Sequence, residues 1–128
     1  MTLLRLSPIL STEDLESSLQ FYVELLGFRC ETVDDVRGWA SVWRDQINVM
    51  FALPYAHLPW SGPRFTGSLY LYCDNIEQQW EQLRDRVEIC YPLECFSYGM
   101  REFGFYDNNR YLLQFGQPVH DPSCQPCR

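Results

Sequence analysis

The sequence predicts a single α+β domain of two tandem βαβββ modules, whose curved mixed sheets enclose a cavity. Three observations carry this. A strand–helix–strand order occurs twice. Helix-opening residues recur at Asp14 and Asn75, 61 positions apart, so that Asp14-Leu15-Glu16 matches Asn75-Ile76-Glu77. Apolar positions match at the same offset, Leu19 with Trp80 and Leu26 with Val87. Internal similarity of this kind marks a repeated unit, and 128 residues suit one domain.

Each element follows from local pattern. Leu3–Leu10 reads as a strand. Ser11-Thr12-Glu13-Asp14 offers capping side chains. Leu15, Leu19, Tyr22, Val23 and Leu26 then recur at helical spacing until Gly27, which predicts a helix near 14–26. Phe28–Val33 is a strand, and Trp39–Arg44 and Ile47–Leu53 form a hairpin across Asp45-Gln46. A loop rich in proline and aromatic residues runs from Pro54 to Thr66, either as a lid or as a linker wrapped on a partner subunit. The second module repeats the order. Gly67–Cys73 is a strand, a helix spans about 76–85 with Ile76, Trp80 and Leu83 on one face, Val87–Tyr91 is a short strand, and Arg101–Tyr106 and Tyr111–Gly116 form a hairpin. The domain is thus 1–118, with module one at 3–53, the inter-module loop at 54–66 and module two at 67–116; 119–128 reads as a flexible C-terminal tail.

Composition excludes several functions. The net charge of −7 and a pI of about 4.7 repel phosphate backbones, so nucleic acid is not an expected partner. No apolar run approaches a membrane span. The N-terminus reads as a strand and not as a secretion signal, so a cytoplasmic location is expected. Cys30, Cys73, Cys90, Cys95, Cys124 and Cys127 are expected as buried or free thiols. Cys124-Gln-Pro-Cys127 is a lone CxxC in a polar tail, without a second pair to complete a zinc site. His57 and His120 fall in the loop and the tail, where solvation is the expected role. No glycine-rich phosphate loop or GxSxG elbow is present.

Asp14-Leu15-Glu16-Ser17-Ser18-Leu19-Gln20-Phe21-Tyr22, followed by Leu25-Leu26-Gly27-Phe28, resembles the first helix and second strand of the glyoxalase / bleomycin-resistance / extradiol-dioxygenase superfamily, the vicinal oxygen chelate proteins. Tyr98-Gly99-Met100-Arg101-Glu102-Phe103, then Asp107, then Leu112-Leu113-Gln114-Phe115-Gly116, is similar to its bleomycin-resistance branch. The resemblance covers about residues 3–118 and speaks to fold more than substrate. It implies metal-ligand positions on the first and fourth strands of each module. These fall at Ser7, Met50, Ser68 and Gln114, where metal-using members have mostly His and Glu. Two hydroxyls, a thioether and an amide are poor ligands for a divalent ion, so neither metal nor cofactor is expected. Asp107-Asn108-Asn109-Arg110 departs from the family's usual Asp-Pro-Asp-Gly turn. Arg110 stands where glycine is expected, and Asn109 is the residue expected to take the left-handed conformation.

Strand alternation fixes the neighbours of those positions. Trp39, Trp43, Asn48 and Met50 share one face of module one, and Tyr70 and Tyr72 go with Ser68 in module two. A three-residue loop in the last hairpin puts Glu102 and Tyr106 beside Gln114, whereas a one-residue slip inverts that face. These aromatics either line the cavity or pack at a subunit interface. No catalytic residue is assigned. The resulting expectation is a metal-free binding protein of the bleomycin-resistance, antibiotic-sequestering type. It takes a small aromatic or cationic molecule and, as the resemblance implies, forms a homodimer. The alternative is a glyoxalase-like lyase or isomerase, or a dioxygenase, with an atypical metal site. A third reading is a domain acting through protein contacts.

Overall fold

A computed structural model of the chain describes residues 1–119. It divides into two compact units, Met1–Arg64 and a second beginning at Phe65. The tail cysteines Cys124 and Cys127, and His120, lie outside the described residues.

In the first unit β1 (Ile9–Ser11) leads into a helix, α1 (Leu15–Leu19), which continues through a wider π-helical stretch at Gln20–Leu25. The Asp14 side chain accepts from the Ser17 amide and caps the first turn. Gly27, at φ +76°, ends the run, as a left-handed terminator does. β2 (Arg29–Asp34), β3 (Trp39–Arg44) and β4 (Ile47–Ala52) follow, giving a sheet of order β1-β4-β3-β2 with β1 parallel to β4 and the remainder antiparallel. Leu10, Ala40, Val42, Val49 and Phe51 on one sheet face are buried with Leu15, Tyr22 and Leu26 of the helical segment.

The second unit repeats this plan with β5 (Leu69–Tyr72), α2 (Ile76–Leu83), β6 (Glu88–Phe96), β7 (Met100–Tyr106) and β8 (Leu112–Pro118) in the order β5-β8-β7-β6. Here β5 is parallel to β8. Asn75 caps α2 by accepting from the Gln78 amide. Phe103, Phe105, Leu113 and Phe115 form the buried face with Ile76 and Leu83, and the Trp80 ring meets Phe103 edge-on at 5.1 Å.

Four details differ from the sequence expectation. The first strand pairs only from Ile9, while Leu3, Leu4 and Leu6 stay exposed; apolar content marks a strand only where a neighbouring strand is long enough to pair with it. β6 runs on to Phe96 instead of stopping at Tyr91. It is an edge strand, so Pro92 forfeits no inner ladder bond, and register shifts flanking Tyr91 keep the strand paired with β7. Arg110 itself takes the left-handed conformation at φ +68°. The Asp107 carboxylate accepts from the Asn109 and Tyr111 amides and holds the turn in that form. Finally, Cys95 is disulfide-bonded, while Cys30 and Cys90 carry free, exposed thiols; compartment arguments bear on cysteine use in general and not on one pair's geometry.

Candidate functional site

Each unit has a sheet face turned away from its helix, and the predicted residues lie on those faces. In the first unit Trp39, Ser41 and Trp43 of β3 stand opposite Ala52, Met50 and Asn48 of β4, and Ile9 of β1 is level with Met50. Carrying that register back by two residues places Ser7 level with Asn48 and Trp43. This row holds three buried polar atoms with no hydrogen-bond partner among the described residues: Ser7 Oγ, Trp43 Nε1 and Asn48 Oδ1. The Asn48 amide nitrogen is satisfied by Ser41 Oγ and the Val42 carbonyl, each at 2.9 Å. Its carbonyl oxygen is therefore fixed outward from those partners. The Arg5 guanidinium lies over the Trp43 ring, 4.9 Å from the centroid, which is cation–π distance.

The second unit has the richer face. One row across four strands reads Tyr70, Gln114, Gly104 and Tyr91, and the next reads Tyr72, Gly116, Glu102 and Glu94. Glu102 is 1% exposed, and three phenols converge on it. Tyr70 donates to its Oε1 at 2.9 Å and Tyr98 to the same oxygen at 2.6 Å, while Tyr91 donates to Oε2. Gln114 Nε2 donates to the Tyr91 oxygen at 2.8 Å, and the Gln114 carbonyl accepts from Ser68. The cluster is a directed chain, Ser68 to Gln114 to Tyr91 to Glu102, with Tyr70 and Tyr98 as two further donors at its end.

Two glycines make room for it. A Cβ on Gly116 would collide with the Tyr70 hydroxyl, and one on Gly104 would collide with the Tyr91 ring. Glycine within a strand is the usual mark of such a close approach. Burial, followed by hydrogen bonding to Glu102, raises all three phenols, with Tyr98 pushed up to about 12 and Tyr70 and Tyr91 further. They therefore keep their protons near neutral pH and remain donors to the carboxylate. No arginine pairs with Glu102 among the described residues.

Of the expected residues, Glu102, Tyr70 and Gln114 join this cluster, and Tyr72 stands beside Tyr70 with ring centroids 5.1 Å apart. Tyr106 shares the face but turns to Cys90 and lies under Arg110, at 4.3 Å from its ring centroid. Tyr91 and Tyr98 were not foreseen. The readable signal was the pair Gly104 and Gly116, small residues in otherwise bulky strands. Ser68 and Gln114, at metal-ligand positions by resemblance, are spent on each other and on Tyr91. A hydroxyl and an amide there, like the hydroxyl and thioether of Ser7 and Met50 in the first unit, are poor ligands for a divalent ion. No group of three or more His, Cys, Asp or Glu able to hold a metal occurs among the described residues.

Comparison with known proteins agrees on the fold. The family model described as the Glyoxalase/Bleomycin resistance protein/Dioxygenase superfamily matches residues 4–115. Among solved structures, the chain is similar to TioX from Micromonospora sp. ML1, at 18% identity and a TM-score of 0.73, covering 88% of this chain and 97% of that one. It is also similar to a member of the same superfamily from Sphaerobacter thermophilus DSM 20745, at 24% identity and a TM-score of 0.74, covering 87% and 94%. A glyoxalase/bleomycin resistance protein/dioxygenase from Nocardioides aligns at 18% identity and a TM-score of 0.73, over 99% and 91%. No curated protein matches the chain. No helix among the described residues is long and apolar enough to cross a membrane.

Proposed function

The chain belongs to the Glyoxalase/Bleomycin resistance protein/Dioxygenase superfamily, and on that premise we propose that it is a metal-free binding protein that sequesters a small aromatic cation. The observation that carries this reading is the Glu102 carboxylate, buried, held by three phenols and paired with no arginine among the described residues. Burying a carboxylate is costly. Neutral hydroxyls spread its charge without cancelling it, and a cation brought from outside does cancel it. The rings of Tyr70, Tyr91 and Tyr98 lie around it, with Tyr72 beside Tyr70, and a cation–π contact at such partly exposed rings contributes about 0.5–1 kcal/mol. In the first unit, taken by itself, the Ser7, Trp43 and Asn48 row has a donor and an acceptor without a partner among the described residues. The Arg5 guanidinium over the Trp43 ring supports reading that indole face as one that suits a cation.

The test is calorimetric titration with bleomycin and with other aromatic cations, in the wild type, Glu102→Gln and Trp43→Ala. Saturable binding is expected in the wild type and weaker binding in Glu102→Gln, while Trp43→Ala reports on the first-unit face by itself. If no cation shows saturable heat, the reading fails. Elemental analysis of the purified protein is expected to find no stoichiometric zinc, nickel, iron or manganese. One such metal per chain, lost on replacing Gln114, would restore the lyase or dioxygenase alternative.

A further inference from the structure

Hydrogen-bond direction in the second unit narrows the class of cation. An ionised carboxylate only accepts, so Tyr70, Tyr91 and Tyr98 all spend their protons on Glu102. Each phenolic oxygen then faces its surroundings as an acceptor. Tyr91 is already used, because Gln114 donates to it. Tyr70 and Tyr98 accept from no other described residue. Both bond the same Glu102 oxygen, at 2.9 and 2.6 Å, so their oxygens sit together. Tyr98 is 63% exposed and Tyr70 partly so. Donating to a carboxylate polarises a phenol and strengthens its oxygen as an acceptor. We propose that the Tyr70 and Tyr98 oxygens form a paired-acceptor subsite for a cation bearing N–H groups, a protonated primary amine or an amidinium, in preference to a quaternary ammonium. A quaternary nitrogen meets the same field but has no hydrogen to give, and it leaves both acceptors unmatched.

The inference rests on the cationic-ligand reading, and the probes separate the two. Benzamidine, benzylamine, benzyltrimethylammonium and neutral benzyl alcohol are titrated calorimetrically into the wild type, the Tyr70→Phe/Tyr98→Phe double variant and Tyr98→Phe. Benzamidine and benzylamine are expected to bind the wild type about tenfold more tightly than the quaternary cation, the scale of one charge-assisted hydrogen bond. In the double variant that ratio is expected to fall to near unity. If the double variant does not fold, Tyr98→Phe, at an exposed ring, carries the test through a reduced ratio. A quaternary cation that binds as tightly as the amines, yet more tightly than the alcohol, overturns the acceptor pair and leaves the cation reading standing. A preference that persists undiminished without the hydroxyls also overturns it. Benzyl alcohol matching the amines, or no binding by any amine, removes both.

Discussion

Glu102 carries a charge into a sheet face where phenols, and no described arginine, answer it. The cost of removing it follows from what it leaves behind. Glu102→Ala strands three hydroxyl donors, of which Tyr91 and Tyr70 are half-buried, so a stability loss of about 1–3 kcal/mol is expected in urea unfolding. Glu102→Gln keeps an acceptor and is expected to lose less; a Glu102→Ala loss within about 0.5 kcal/mol, as at an ordinary surface site, would show that the phenols do not depend on the carboxylate. The same cluster sets an alkaline limit. Tyr98 is raised to about 12, and Tyr70 and Tyr91 beyond it, from an ordinary 10.0, chiefly by burial and then by the bond to Glu102. Above pH 10 the unfolded chain releases phenolic protons that the folded chain retains. The stabilisation is therefore complete below that pH and is lost as pH rises through the folded values. Urea midpoints are expected to fall steadily from pH 10 to pH 12, more steeply in the wild type than in the Tyr70→Phe/Tyr98→Phe variant. Parallel curves for the two proteins would count against the raised phenols.

β7 and β8 present glycine where β5 and β6 present tyrosine, and the sheet face is built on that exchange. Gly104 stands between Gln114 and Tyr91, and Gly116 between Tyr72 and Glu102. Gly116→Ala is expected to displace the Tyr70 hydroxyl and Gly104→Ala the Tyr91 ring, each at about 1–3 kcal/mol, the usual range for overpacking. Both are expected to weaken benzamidine binding; a Gly116→Ala protein with unchanged stability and affinity would show that Tyr70 is not held across that strand. The contrast between the two halves of the second unit shows what sequence reveals. Alternation in Leu69–Tyr72 is regular, so Tyr70 falls on the face of Ser68 by counting, while the face of Glu102 in Met100–Tyr106 depends also on the length of the last hairpin loop. The three-residue loop closed by Asp107 and Tyr111 keeps Gly104 opposite Gln114. β6 resists the same counting. Pro92 interrupts its pattern, and the register shifts around Tyr91 break the period of two, so Tyr91 and the following Tyr98 could not be assigned a face. The helices were legible because Asp14 and Asn75 announce them chemically. The N-terminal strand was overextended because pairing depends on a neighbour's length, which no local window contains.

Over the whole molecule, exposed apolar side chains and acidic charge bear on two proposed associations, with a second copy and with a cation. Leu3, Leu4, Leu6, Val36, Tyr55 and Phe65 are exposed. We propose that a second copy covers them, and light scattering is then expected to give twice the 15.2 kDa chain mass; a monomer at micromolar concentration would reject it. Charge governs the ligand. Seventeen acids against ten arginines leave −7 at pH 7, a field that concentrates cations near the surface. Raising ionic strength from 0.01 to 1 M shortens the screening length from about 30 to about 3 Å. The distant acids are then silenced while a buried group in contact with the ligand is screened much less. Benzamidine affinity is accordingly expected to fall several-fold across that range and then level off, while benzyl alcohol stays flat. Glu102→Gln removes the near contribution and keeps the far one, so its affinity is expected to start lower and decline with a similar slope. A wild-type affinity indifferent to salt would mean that the overall charge plays no part. A Glu102→Gln curve that meets the wild type at high salt would place all of the attraction in the distant acids and none in the tyrosine-bound carboxylate.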